Sequence, residues 1–328
     1  METKAKKRDV TIDLLRFIGL SLIILAHVQT PSLILQIRTF DVPLMFFVSG
    51  LAYSGRKADF SVLFLWHRFK RLIIPVYIFL ICYYSIHWLF EHSISMDEVR
   101  SSFLLIGGIS YLWIIRVFLL IGLLTPLLLY IEGKIKKSSY LYICLIIWLV
   151  LWISLYGLKS NIFVRQYIFY AAGYSVLFIW GLRIRKSTNK TIIYSCVLTM
   201  ILFLGLLCYL YTTNNGQGLA INSYKYPPRL YFLSYGLFMS LALYYVVKKS
   251  DIQSIPSIIQ FIGSNTIWIY LYHIPIIPFV IHLFPQSWLI QYLLIYTLAV
   301  ALCFLQVKII ETMEKKGITA SVFKYLRG

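Results

Sequence analysis

Apolar runs close to the length of a bilayer crossing follow one another through this chain, separated by short polar connections. Ten can be drawn, over 11–29, 39–56, 72–90, 110–131, 140–157, 165–182, 191–212, 229–247, 265–284 and 288–308. A helix needs about 20 residues to cross the hydrocarbon core, and most of these runs reach that length. The expected fold is therefore all-α: a polytopic integral membrane bundle of about ten transmembrane helices, forming one domain over 1–328. The second run is the weak one. Its continuous apolar core covers only Val42 to Tyr53 and Pro43 stands near its start, so a short, tilted or partly re-entrant crossing is expected.

Composition agrees, since 60% of residues are hydrophobic and only 13% charged. The formal net charge of +19 does not point to nucleic acid, because the Lys and Arg residues cluster between apolar runs, as topology signals do. With the N-terminus placed in the cytoplasm, only Arg38, Arg100, Lys159, Arg165, Lys225 and Arg229 fall on the outer side, and Arg16 and Arg116 lie within runs. Both ends are thus expected in the cytoplasm, as an N-tail over 1–10 and a C-tail over 311–328. The basic start imitates a signal peptide but lacks a cleavage site, which suggests an uncleaved first helix. Cys82, Cys144, Cys196, Cys208 and Cys303 all sit in apolar runs without CxxC spacing. They are expected to be small buried hydrophobes, neither disulfides nor metal ligands. The connection from Thr212 to Arg229 exceeds a tight turn, which suits a functional loop, with disorder as the alternative.

Ionisable groups inside such runs are expensive and mark function. The first run carries Asp13, Arg16 and His27. On a continuous helix Arg16 lies roughly 60° from Asp13 and about 20° from His27, with about 16 Å of rise between Arg16 and His27. All three would then share one face, as a polar track through most of the bilayer. Taken singly, His27 can be a hydrogen-bonded core residue and Asp13–Arg16 a structural ion pair. Arg68, Lys70 and Arg71 precede the third run, and two guanidiniums three residues apart can grip phosphate oxygens; the alternative is an ordinary positive-inside cluster. Ser49 and Gly50 permit close approach, of a helix or of a ligand. Asp41 would lie at the depth of His27, either orienting the imidazole or, more simply, as a solvated interfacial carboxylate. Arg116 and His273 can line the same interior or face the outer interface.

Together these residues resemble the membrane acyltransferase family 3, whose members O-acylate polysaccharides, glycolipids and small molecules. Arg16 and His27, with ten residues between them, match its Arg-to-His signature. Phe46, Phe47, Ser49 and Gly50 resemble its FFxxSG element, Arg68 to Arg71 its RxxR element, YLWII from Tyr111 its LW-containing segment, and GSNTIWIYLYHIP from Gly263 its late GxNSxxIYLxH element. KYPPRLYFLSYGL from Lys225 looks like the branch of fucose 4-O-acetylase-like and capsule acetyltransferases. Relatives there often carry His-Met where this chain has Asp41 and Val42. The soluble hydrolase-like domain of some members is not visible here.

The resemblance implies a multi-pass enzyme of a bacterial plasma membrane that moves an acetyl group from cytoplasmic acetyl-CoA to a glycan or glycolipid hydroxyl. Arg68, Lys70 and Arg71, with Ser49 and Gly50, would be on the donor side. His27 would be the general base, or less simply an acetyl carrier, with Arg16 and Asp13 stabilising charge. Arg116, Lys225, Tyr226, Arg229 and His273 would meet the acceptor. No metal is expected. A glycan or lipid transporter is the competing reading, since intramembrane ionisable residues also mark substrate paths. A membrane sensor or scaffold has less support, because no output domain is recognisable.

Overall fold

The first helix, α1 (Val10–Leu25), starts where the Asp9 carboxylate accepts the Ile12 N–H at 3.2 Å. It stops well short of residue 29. Pro31 is extended, at φ −53° and ψ 146°, and a proline disfavours helix in the residue before it. The chain leaves through a tighter turn in which the His27 N–H donates to Ile24 O at 3.0 Å. Asp13 and Arg16 therefore share the helix, whereas His27 stands in the turn beyond it, and the expected single-helix track is corrected to that extent.

The computed structural model describes residues 9–91, 94–135, 140–157, 161, 163–318 and 320–327. The basic N-tail through Arg8, and Lys159, lie outside them. After α1 come α2 (Ser32–Ile37), a 3-10 turn over Arg38–Phe40, α3 (Asp41–Tyr53), α4 (Val62–Glu91), α5 (Met96–Phe103), α6 (Trp113–Lys134) and α7 (Tyr140–Tyr156). A π turn over Val164–Ile168 leads into α8 (Phe169–Ile184), then α9 (Asn189–Thr213), α10 (Leu230–Lys249), α11 (Ser257–Ser264), α12 (Thr266–Leu283), α13 (Trp288–Lys315) and α14 (Phe323–Leu326). Among the described residues every regular element is helical. Eight of these helical stretches are long and apolar enough to cross a membrane; α1, with 16 residues, and α7, with 17, are shorter. The chain is a multi-pass helical membrane protein.

Two boundaries differ from expectation for physical reasons. The weak second run is a continuous helical stretch over Ser32–Tyr53, 22 residues long, so its length suffices for a crossing. Pro43 falls in the first turn of α3, where the missing N–H costs nothing. The tenth run continues as helix to Lys315, and the chain then turns back to lay α14 against α4 and α13. The described part of the expected C-tail is thus partly helical and docked. Of the cysteines, Cys303 is buried and Cys196 half-buried, but Cys82 and Cys208 are on the outside of the bundle. A lipid-facing position is as apolar in sequence as a core position. The Cys144 side chain lies outside those described.

At the centre α3 packs on α8, α1 and α10, with Leu44, Phe46 and Phe47 fully buried. The α3–α8 crossing is backbone to backbone. A Cβ on Gly50 would stand 2.0 Å from Phe178 O, and one on Gly181 would stand 2.1 Å from Phe47 O. Close helix approach in membranes depends on such small residues. At a second close contact, a Cβ on Gly263 of α11 would stand 2.4 Å from Asp13 O of α1.

Candidate active site

The α1–α3–α4–α6–α12 core encloses a cavity of about 260 Å³. Its polar wall comes from Arg16 (α1), Ser49 (α3), Arg56 (in the connection after α3), Arg68 and Arg71 (α4), and Lys324 (α14); among the described residues no carboxylate lines it. Arg16 also faces Asp13 across 3.8 Å, with Asp13 buried. The guanidiniums of Arg56 and Arg68 both lie 4.6 Å from the centre of the Tyr53 ring, which holds two like charges at one aromatic group. Arg68 Nε is buried and has no hydrogen-bond partner. A cavity walled by cations, with one buried guanidinium nitrogen lacking a partner, has the electrostatics that suit an anion.

Of the donor-side residues expected from sequence, Arg68, Arg71 and Ser49 line this cavity, and the Ser49 hydroxyl donates to Met45 O at 2.9 Å. Lys70 and Gly50 do not. Lys70 extends over the Trp66 ring at 5.2 Å, and Gly50 is at the α3–α8 crossing.

The inner end of the cavity is marked by Ile23, Ile114 and Tyr270. Beyond it, on the far side of Tyr270, a second group of residues converges. The Tyr270 ring is 4.9 Å from that of His273, and its hydroxyl donates to Tyr111 O at 2.5 Å. His273 Nε2 is 2.9 Å from His27 Nδ1, and the edge of Tyr111 meets His27 with ring centres 4.7 Å apart. His27 does not itself line the cavity; Tyr270, which does, is in ring contact with His273, the partner of His27.

The hydrogen bonds fix the tautomers of this pair. His273 Nδ1 bonds to Tyr270 O, a carbonyl that can only accept, so Nδ1 carries the proton. In neutral His273, Nε2 then accepts, and His27 Nδ1–H donates to it. The lone pair of His27 is left on Nε2, and the residue is half-buried, with part of its surface open. A neutral imidazole with a fixed proton on one nitrogen and a free lone pair on the other is arranged as a base. The turn that carries His27 is clamped from α13: Gln291, fully buried, accepts from Gln29 N–H at 3.0 Å and donates to Gln29 Oε1 at 3.2 Å and to Phe284 O at 2.9 Å.

Beside this pair, Asp41 is fully buried, contrary to the expected solvated carboxylate and to an imidazole partner. Arg38 donates to it at 2.6 Å and Lys225 at 3.3 Å, and all three are at most 4% exposed. Arg38 and Asp41 meet through the 3-10 turn, but Lys225 arrives from a connection far along the chain. That connection is tied to α2 where Asn222 N–H donates to Gln36 Oε1 at 3.2 Å, and α10 meets the end of α2 where Tyr235 OH donates to Ile37 O at 2.6 Å. Tyr226 is exposed and meets Trp113 edge to face at 5.2 Å. Arg229 is exposed over the Tyr224 ring, while Arg116 is turned to Leu105 O at 2.9 Å and to the Tyr167 ring. The structure therefore brings His27, His273, Lys225 and Tyr226 to one end of the bundle, and gives Arg116 a partner in its own preceding loop.

A family profile described as an acyltransferase domain, acyltransferase family 3, matches residues 9–307. The chain belongs to this family. The match runs from the cap of α1 through most of α13, so the histidine pair and all of the cavity wall except Lys324 and Tyr325 fall within it. No curated protein and no solved structure matches this acyltransferase. Membership supports acyl transfer as the activity of the membrane domain.

Sequence reasoning missed Arg56, Lys324, Tyr270 and Gln291. Arg56 reads as a topology signal, Lys324 lies beyond the family match, and Gln291 is one amide in an apolar run. Tyr270 stands inside the IYLYHIP element, where three residues before a histidine it could have been read as the residue below it on the helix.

Proposed function

We propose that this acyltransferase transfers an acetyl group from cytoplasmic acetyl-CoA to a sugar hydroxyl of a lipid-linked or surface polysaccharide, in the plasma membrane of a bacterium. The observation that carries the reading is a cationic cavity, with no carboxylate among its described lining residues, whose Tyr270 touches His273, the hydrogen-bond partner of a histidine with a free lone pair. The phosphates of the donor would sit among Arg68, Arg71 and Arg16, and the thin pantetheine arm would pass Tyr270 once that ring swings aside.

His27 Nε2 takes the proton of the acceptor hydroxyl as its oxygen attacks the thioester carbonyl. The tetrahedral intermediate collapses, the C–S bond breaks, and the coenzyme thiolate leaves with the proton from His27. His273 accepts the Nδ1–H of His27 throughout and so supports the imidazolium. Arg16, held by Asp13, supplies positive charge on the donor side. Tyr226 and Trp113 offer aromatic faces to a sugar, with Lys225 beneath them.

Membranes containing the protein, labelled acetyl-CoA and a lipid-linked glycan fraction test this directly. The wild-type protein labels the glycan, and His273→Ala slows transfer by roughly 10²-fold, the lower range for a misplaced acid–base group. His273→Gln keeps an acceptor for His27 Nδ1–H and recovers part of the rate. A wild type that leaves every glycan fraction unlabelled contradicts the acceptor class, and full activity in His273→Ala contradicts the histidine pair.

A further inference from the structure

Lys324 and Tyr325 line the cationic cavity although they lie beyond the matched family span. They are held there by several bonds. Trp268, nearly fully buried, donates its indole N–H to Tyr325 O at 2.9 Å, Gln306 donates to Leu326 O at 2.5 Å, and Arg327 pairs with Glu314. Phe323 is buried, and the Lys324 ammonium lies 4.9 Å from the centre of the Tyr325 ring. The segment is a wall of the cavity, not a loose tail.

The cations of the cavity differ in depth. Arg16 and Arg68 are half-buried, whereas Arg56, Arg71 and Lys324 are exposed and stand at the mouth. Coenzyme A has a matching order of charges. With its thiol toward the bundle interior, the diphosphate comes next and the ribose 3′-phosphate is farthest out. We infer that the segment over 320–327 forms part of the donor site, with Lys324 binding the 3′-phosphate at the mouth while Arg68 takes the diphosphate. The inference rests on the donor reading above and adds a specificity: the site selects the 3′-phosphorylated coenzyme.

Calorimetric titration of the purified full chain in detergent, with CoA and with dephospho-CoA as probes, separates the two claims. The wild type is expected to bind CoA about tenfold more tightly than dephospho-CoA. Lys324→Ala weakens CoA about fivefold, as suits an exposed cation, and leaves dephospho-CoA within about twofold. Lys324→Arg retains the preference, which also shows that the segment still docks. Lys316→Ala, an exposed lysine outside the cavity, reports the effect of bulk charge alone. Equal weakening of both probes by Lys324→Ala, or no weakening of either, overturns the assignment of Lys324 and leaves the donor reading standing. A wild type that binds neither probe overturns the donor reading itself.

Discussion

Replacing His27 with alanine abolishes acyl transfer while the protein stays in the membrane at its normal level. The rate falls by about 10³-fold, within the range that a positioned general base contributes. Stability changes little because His27 is in a turn after α1, half-buried, with one side-chain hydrogen bond to His273 and one edge contact to Tyr111. The turn keeps its own clamp through Gln291. Initial rates of label transfer, normalised to the amount of protein, check this. A His27→Ala protein that transfers at the wild-type rate removes the base role.

The second large effect is on donor concentration. Arg68→Ala is expected to raise the acetyl-CoA KM by roughly 10- to 100-fold with little change in kcat, since charge-assisted bonds to phosphate are among the stronger polar contacts. Arg71→Ala has a smaller effect, about threefold, because that side chain is exposed and screened. Arg68→Lys does not restore the wild-type value. A lysine lacks the planar fork that stacks over Tyr53 while presenting further N–H groups to an anion. Donor saturation curves for the three variants provide the measurement; unchanged KM values would remove Arg68 and Arg71 from the donor site.

The helical bundle was legible because hydrophobic length survives in sequence whatever the packing. Each of the ten apolar runs contains a helix. Short amphipathic pieces such as α5 and α11 were not legible, because in eight residues hydropathy cannot distinguish a helix from a connection. Pro31 shows in the sequence that helix does not run on through Thr30, but it restricts only that residue and does not place the end of α1 at Leu25. For Asp41, the local sequence shows Arg38 three residues away but not Lys225, so a buried triad looked like a solvated carboxylate. In the candidate site, single residues were easier to see than their partnerships. His27 and His273 both stood out, yet their contact joins α12 to the turn after α1 and no periodicity connects them. Gly50 shows the reverse limit: a small residue in a motif was open to either a ligand or a helix, and the backbone of α8 occupies its face.

The central claim is that the donor enters from the Arg68 end of the bundle and the acceptor meets His27 at the other. Sealed membrane vesicles of known orientation, given labelled acetyl-CoA only outside, test it most directly, since the charged coenzyme does not cross the bilayer. Inside-out vesicles, which present the cytoplasmic face, are predicted to label glycan, and right-side-out vesicles to label none until they are permeabilised. Equal labelling in both orientations of intact vesicles would contradict the account.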